Sequence, residues 1–205
     1  MKKFIQCLLP QHNTHKYYKR FAGWSFISNV ILSAEYAMCT HCMLTAIDSG
    51  SDVHRTGSYI GKDIIGQIGS LGYIAYYGKQ ADDNPKRFLT YSNVIQQTGI
   101  MAVSITPLYP SIFLPVAGIA NILSNISCVG IGALNAKCIQ TLSDDNLGEV
   151  YAKITMINTI GSSLGLCIGM GIVTLVPDHT QRLCILPILG FLRILTFDRA
   201  VKVLF

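Results

Sequence analysis

Apolar residues run along this chain in long blocks, without the alternation of an amphipathic strand or the one-sided stripe of a water-facing helix. Residues 88–136 form 49 consecutive positions without Asp, Glu, Lys, Arg or His, broken only by Pro107-Leu108-Tyr109-Pro110. About 18 such residues suffice for a transmembrane helix, so the stretch predicts two helices joined by a proline turn. Residues 154–177 add another 24 uncharged positions and a third span. Residues 21–47 are apolar apart from Glu35 and His41, and residues 59–77 apart from Lys62 and Asp63. Both read as spans whose ionisable groups face protein or water. Residues 183–197 hold Pro187 and Arg193 and would rise about 22 Å against a hydrocarbon core of about 30 Å. That segment predicts an oblique crossing, a re-entrant piece or a surface helix. The expected fold is an all-α, polytopic membrane helix bundle with five or six transmembrane helices. It divides into a basic N-terminal flank over 1–20 and a single transmembrane helical domain over 21–205.

Composition sharpens this picture. Charged residues make up 13% of the 205 positions, against roughly 25% in soluble globular proteins. Mean hydropathy is +0.41, which leaves too few polar groups to cover a solvated surface. Disordered chains, nucleic-acid modules and typical soluble enzymes are excluded on this ground. The net charge of +5 is carried by basic residues outside the apolar runs, where it reports topology. With six crossings, thirteen of the sixteen Lys and Arg residues, Arg193 among them, share one side, Arg55 and Arg182 lie on the other, and Lys62 lies within a span. Five crossings give ten against five, so six fit better. Residues 1–34 hold five basic and no acidic residues, the bias of a mitochondrial presequence, and with Met1 at the start any import signal is expected to be internal or retained.

Three small-residue stripes predict close helix packing: Gly66, Gly69 and Gly72; Ala120, Ser124, Cys128 and Gly132; and Gly161, Gly165 and Gly169. The last overlaps Gly161-Ser162-Ser163-Leu164-Gly165, which matches the nucleophile-elbow pattern in letters but lies within an uncharged span and lacks the preceding strand. Cys39-Thr40-His41-Cys42 has half the spacing of a metal or redox site, with no second half in the sequence, so no metal site is assigned. Glu35, Lys62 and Asp63 are the intramembrane polar residues of interest. Lys62-Asp63 reads either as a functional pair or as an interfacial ion pair at a helix start, and Lys62 is also a conceivable counter-ion for Glu35.

The polar punctuation carries a resemblance. In order along the chain stand Lys62-Asp63-Ile64-Ile65-Gly66-Gln67-Ile68-Gly69, then Gly78, Asp82, Asn84-Pro85-Lys86, then Pro107-Leu108-Tyr109-Pro110, Phe113-Leu114-Pro115 and Ala120-Asn121. Gly130-Ile131-Gly132-Ala133, Asn146, Ala152-Lys153 and Thr159 complete the series. Across roughly residues 44–165 this resembles the root UV-B sensitive family of membrane proteins. Ile64 stands where the family has Gly, Ser70 and Asn135 where it has Arg, and Ile154 where it has Asp. The resemblance implies a polytopic organelle membrane protein linked in plants to plastids, light response and vitamin B6 homeostasis, and brings no catalytic mechanism.

The function expected from these features is that of a non-enzymatic accessory subunit of a larger organellar complex, with the mitochondrial inner membrane favoured over the plastid. Its partners are expected to be other membrane-protein subunits and membrane lipids, without nucleic acid, cofactor or catalytic residues. Such an assembly would also hold both termini, Met1 and Phe205, in order. The alternative is a small-solute carrier or vitamin B6-homeostasis membrane protein of the same family. Glu35, Lys62, Asp63 and the amides Asn93, Gln96, Gln97, Asn121 and Asn125 support it.

Overall fold

The structure, a computed structural model, describes residues 10, 15–47, 52–77, 85–143 and 145–204. Expectations that touch Met1, Lys2, Lys3, Gly78, Lys79, Asp82, Asn84 and Phe205 lie outside these residues, as do the side chains of Arg55, Lys86 and Arg87. The elements in chain order are α1 (Tyr18–Ile47), α2 (Asp52–Tyr77), α3 (Pro85–Ser104), two 3-10 turns (Thr106–Leu108 and Pro110–Ile112), α4 (Phe113–Leu142), α5 (Leu147–Leu175) and α6 (His179–Lys202). The described residues form helices and turns and no strand.

The 49-residue uncharged run breaks where its prolines stand. Pro107 and Pro110 each open a 3-10 turn, having no N–H to donate and a backbone angle preset for a helix start, and α4 begins at Phe113. Consecutive helices alternate in direction. At one end Tyr18 and Phe21 of α1 pack with Leu142 of α4, Val150 of α5 and Phe197 and Val201 of α6. At the other, Ala46 and Ile47 of α1 meet Phe113 and Ala117 of α4. The central helix is α1, in contact with α5, α6 and α3, while α4 lies against α3 and α2. Ser25 Oγ of α1 donates to Asn158 Oδ1 of α5 at 2.9 Å, adding one polar tie to the α1–α5 seam.

Among the described residues, three segments are long and apolar enough to cross a membrane: Tyr18–Ile47, Pro110–Leu142 and Leu147–Leu175. Exposure is inverted relative to a water-soluble protein. Ile68 is 67% and Leu175 83% exposed, while Glu35 is fully buried and Arg193 only 2% exposed. Hydroxyls turn inward along their own helices: Thr45 donates to His41 O, Ser127 to Leu123 O, Thr159 to Thr155 O and Ser163 to Thr159 O. Where no water is at hand, a carbonyl four residues back is the nearest acceptor.

The sixth segment departs from expectation. Instead of fifteen residues, α6 runs for 24 and about 36 Å through Pro187. Hydropathy missed its polar ends, which are good helix termini. Asp178 accepts from Thr180 N at 3.0 Å as the N-cap, and Arg199 and Lys202 lie in the last turn, favourable to the helix dipole, with Lys202 paired to Asp198 at 2.6 Å. Arg193 also corrects the charge count. It lies in the bundle interior and so does not belong to the loops of the positive side.

Candidate functional site

The buried face of α6 repeats at helical spacing: Arg182, Leu186, Gly190, Arg193, Phe197. Two arginines therefore enter the bundle on a face otherwise made of apolar and small residues. Arg193 Nη2 donates to Gln96 Oε1 in a short contact and to Asn93 Oδ1 at 3.4 Å, both on α3. Gln96 Nε2 in turn donates to the Tyr36 hydroxyl of α1 at 2.6 Å, and Tyr36 shares a hydrogen bond with Ser124 Oγ of α4 at 3.4 Å. One residue along α3, Gln97 Nε2 donates to Glu35 Oε2 at 2.9 Å. Four helices thus meet through one polar centre. Glu35, Asn93, Gln96, Gln97 and Arg193 are all at most 6% exposed.

The centre is incompletely saturated. Glu35 Oε1, Gln97 Oε1, Arg193 Nε and Arg193 Nη1 are buried and have no hydrogen-bond partner among the described residues. Gly190 packs directly on them: a Cβ there would come within 2.6 Å of Gln97 Oε1 and 3.3 Å of Glu35 Oε1, so only glycine lets α6 approach this pair so closely. Buried polar atoms in native folds are almost always satisfied, so two acceptors and two donors held unused in one centre mark it as a functional candidate.

The Lys62-Asp63 pair forms a second, more superficial centre on α2. Lys62 Nζ donates to Asp63 Oδ1 at 2.7 Å and lies 4.0 Å over the Tyr59 ring. Asn121 Nδ2 of α4 donates to Asp63 Oδ1 at 2.9 Å and to the Lys62 carbonyl at 3.1 Å. The Lys62 side chain is 8% and that of Asp63 46% exposed. The counter-ion expectation is corrected: Lys62 is engaged by Asp63, and the cation near Glu35 is Arg193. A cavity of about 70 Å³ lies between the two centres, lined by Tyr36, Cys39, Lys62, Gly99, Asn121 and Ser124.

The glycine stripes separate into packed and open positions. A Cβ on Gly161 would meet Phe26 O at 3.0 Å, and one on Gly169 would meet Ala34 O at 2.5 Å. Gly165 is tighter still, against Val30 O and Ser33, so the whole stripe lies on α1. Gly66 and Gly69 close on Asn121 and Ile122 of α4, whereas Gly72 and Gly132 meet nothing within 4 Å. Ser163 is exposed in mid-helix with its hydroxyl spent on Thr159 O at 3.1 Å, unlike a strained strand-to-helix nucleophile. Cys39 and Cys42 are buried, and His41 Nδ1 accepts from Arg182 Nη1 at 3.0 Å. No group of three His, Cys, Asp or Glu side chains that could hold a metal occurs among the described residues.

Sequence reading picked out Glu35, Lys62, Asp63 and the α3 amides but missed Tyr36, Ser124 and Arg193 as members of the centre. The signal for Arg193 was present, in its i+3 spacing from Gly190 and its i+11 spacing from Arg182 on one face.

The fold and the centre together define an all-helical, membrane-capable bundle with a charged interior. Residues 1–204 match the family described as the vitamin B6 photo-protection and homoeostasis domain. The chain belongs to this root UVB sensitive family. It is 30% identical to protein root UVB sensitive 4 of Arabidopsis thaliana, over 93% of this chain and 37% of that protein. It is 29% identical to the Arabidopsis protein root UVB sensitive 2, chloroplastic, over 56% and 26% of the two chains, and 25% identical to RUS family member 1 of Dictyostelium discoideum, over 80% and 32%. The chain spans about a third of the length of these curated relatives. No solved structure matches it.

Proposed function

We propose that this chain is a non-enzymatic membrane protein that carries a small polar solute through its interior, as the membrane-embedded part of a vitamin B6 homeostasis protein. The observation that carries the reading is Glu35, fully buried in a helix of spanning length, bonded to Gln97 and sharing with Arg193 a centre in which buried donors and acceptors stand unused. Ionisable groups at membrane depth are costly and mark substrate or ion pathways. With six crossings, a carboxylate and a guanidinium near the bilayer middle would present opposite charges to a solute bearing both donors and acceptors, as the B6 vitamers do. The 70 Å³ cavity beside the centre has room for about two waters and its lining does not include Glu35 or Arg193, so passage requires α6 to shift against α3. Binding of tritiated pyridoxine to the purified chain in mild detergent tests the reading. Saturable binding that Glu35→Gln weakens is expected, and binding indifferent to Glu35 overturns it.

A second reading keeps the chain as an accessory subunit of an organellar membrane complex, in the mitochondrial inner membrane by its basic flank. Its support is the unpartnered exterior of α2, where Ile60, Ile64, Ile68 and Leu71 are all more than half exposed, and the open Gly72 and Gly132. Mass spectrometry of what copurifies in mild detergent separates the two, since stoichiometric membrane subunits favour the second.

A further inference from the structure

We infer that the cleft between α4 and α5 is a binding site for an anionic phospholipid. These two helices are consecutive, yet α5 packs on α1 while α4 packs on α2 and α3, so they diverge from their shared loop. The gap they leave is a cavity of about 840 Å³, within the range of ligand sites. Gly130 and Ala133 of α4 carve its floor, Phe88 of α3 closes its inner end, and Leu147 and Tyr151 of α5 form the far wall. Gly130 is pressed by Phe88 and Ser92, so no larger residue fits there.

Its polarity is graded along the helices. Lys137 and Gln140 stand exposed on the rim nearest the loop, and Lys137 is the one charged side chain in the lining among the described residues. Lys137 lies five residues before the end of α4, about 7 Å inside it, which is headgroup depth for a helix that spans. It makes no ion pair among the described residues. Asp145 and Glu149 occupy the adjoining loop and first turn but stand outside the lining. Lys19, Arg20 and Arg199 lie at the same end of the bundle and add to a positive field there. An apolar trough beneath a single cation matches a lipid with acyl chains below and a negative headgroup at the rim. A free phosphate would use the lysine and leave the trough unfilled.

Thermal unfolding of the purified chain, followed through Trp24 while lipid is titrated into detergent, tests this. Dioleoylphosphatidylglycerol should raise Tm at lower concentration than dioleoylphosphatidylcholine. Lys137→Gln should raise the half-saturating phosphatidylglycerol concentration about fivefold, removing that preference, while Lys137→Arg keeps it. Ala133→Phe, which fills the trough and leaves Trp24 the only tryptophan, should abolish the response to both lipids. An unchanged response in Lys137→Gln, or no preference for the anionic lipid in the unmodified chain, overturns the proposal. So does an equal shift from inorganic phosphate, which would assign the lysine to a free anion.

Discussion

Glu35 on α1 and Arg193 on α6 share one buried centre, yet each is held by its own amide of α3, Glu35 by Gln97 and Arg193 by Gln96, and the two make no direct ion pair. Separate amide partners leave each charge with free valences, whereas a closed bidentate pair would have used them. Stability and the proposed function are thereby tied to the same four residues.

Glu35→Ala should destabilise the bundle by about 1–3 kcal/mol, because it strands Gln97 Nε2 and leaves Arg193 without a neighbouring carboxylate. Arg193→Met should cost a similar amount by stranding Gln96 and Asn93. The double variant should cost less than the two together, since the second change removes a charge that the first has already unbalanced. Thermal unfolding in detergent of all three measures this, and strict additivity would show the two sites to be independent.

Two glycines on one helix should answer differently to the same change. Gly165→Ala puts a methyl against Val30 O and should lower stability by about 1–3 kcal/mol. Gly171→Ala meets nothing within 4 Å and should be neutral or stabilising by up to about 1 kcal/mol. Comparing the two melting temperatures also tests whether α5 holds α1 by backbone contact.

How much of this was readable in advance follows from what one sequence encodes. The proline turn at 107–110 and the long apolar helices were legible because both depend on local chemistry alone. The span of α6 was not, since a hydropathy window scores Arg193 and the capping residues as polar whichever way they point. The partner of Glu35 was also hidden. Lys62 and Arg193 are equally plausible cations until the packing of α1 against α6 is known, and that register is a property of six helices together. The amides of α3 were legible as unusual residues within a span, but their joint role was not.

Asp63→Asn should cost about 1 kcal/mol, because Lys62 loses its charged partner while keeping the Tyr59 ring, and the half-exposed Asp63 limits the loss through screening. Asn121→Leu should cost more, about 1–3 kcal/mol. It removes both ties from α4 to α2 and must pack its bulk against Gly66, where a Cβ would already meet Asn121 at 2.5 Å. Denaturation of both variants in the same detergent gives the order, and the reverse order would place the weight of the α2–α4 contact on the ion pair.

The central claim is that the Glu35–Arg193 centre is a passage for a polar solute, and uptake into liposomes tests it most directly. The purified chain, Glu35→Gln and Ser163→Ala are reconstituted at equal density, and entry of tritiated pyridoxine is followed against protein-free liposomes. The account predicts saturable uptake by the unmodified chain, the same rate for Ser163→Ala, and a rate at least about tenfold lower for Glu35→Gln, the effect of losing about 1.4 kcal/mol of interaction with the solute. Uptake no faster than in protein-free liposomes, or full uptake by Glu35→Gln, would contradict it.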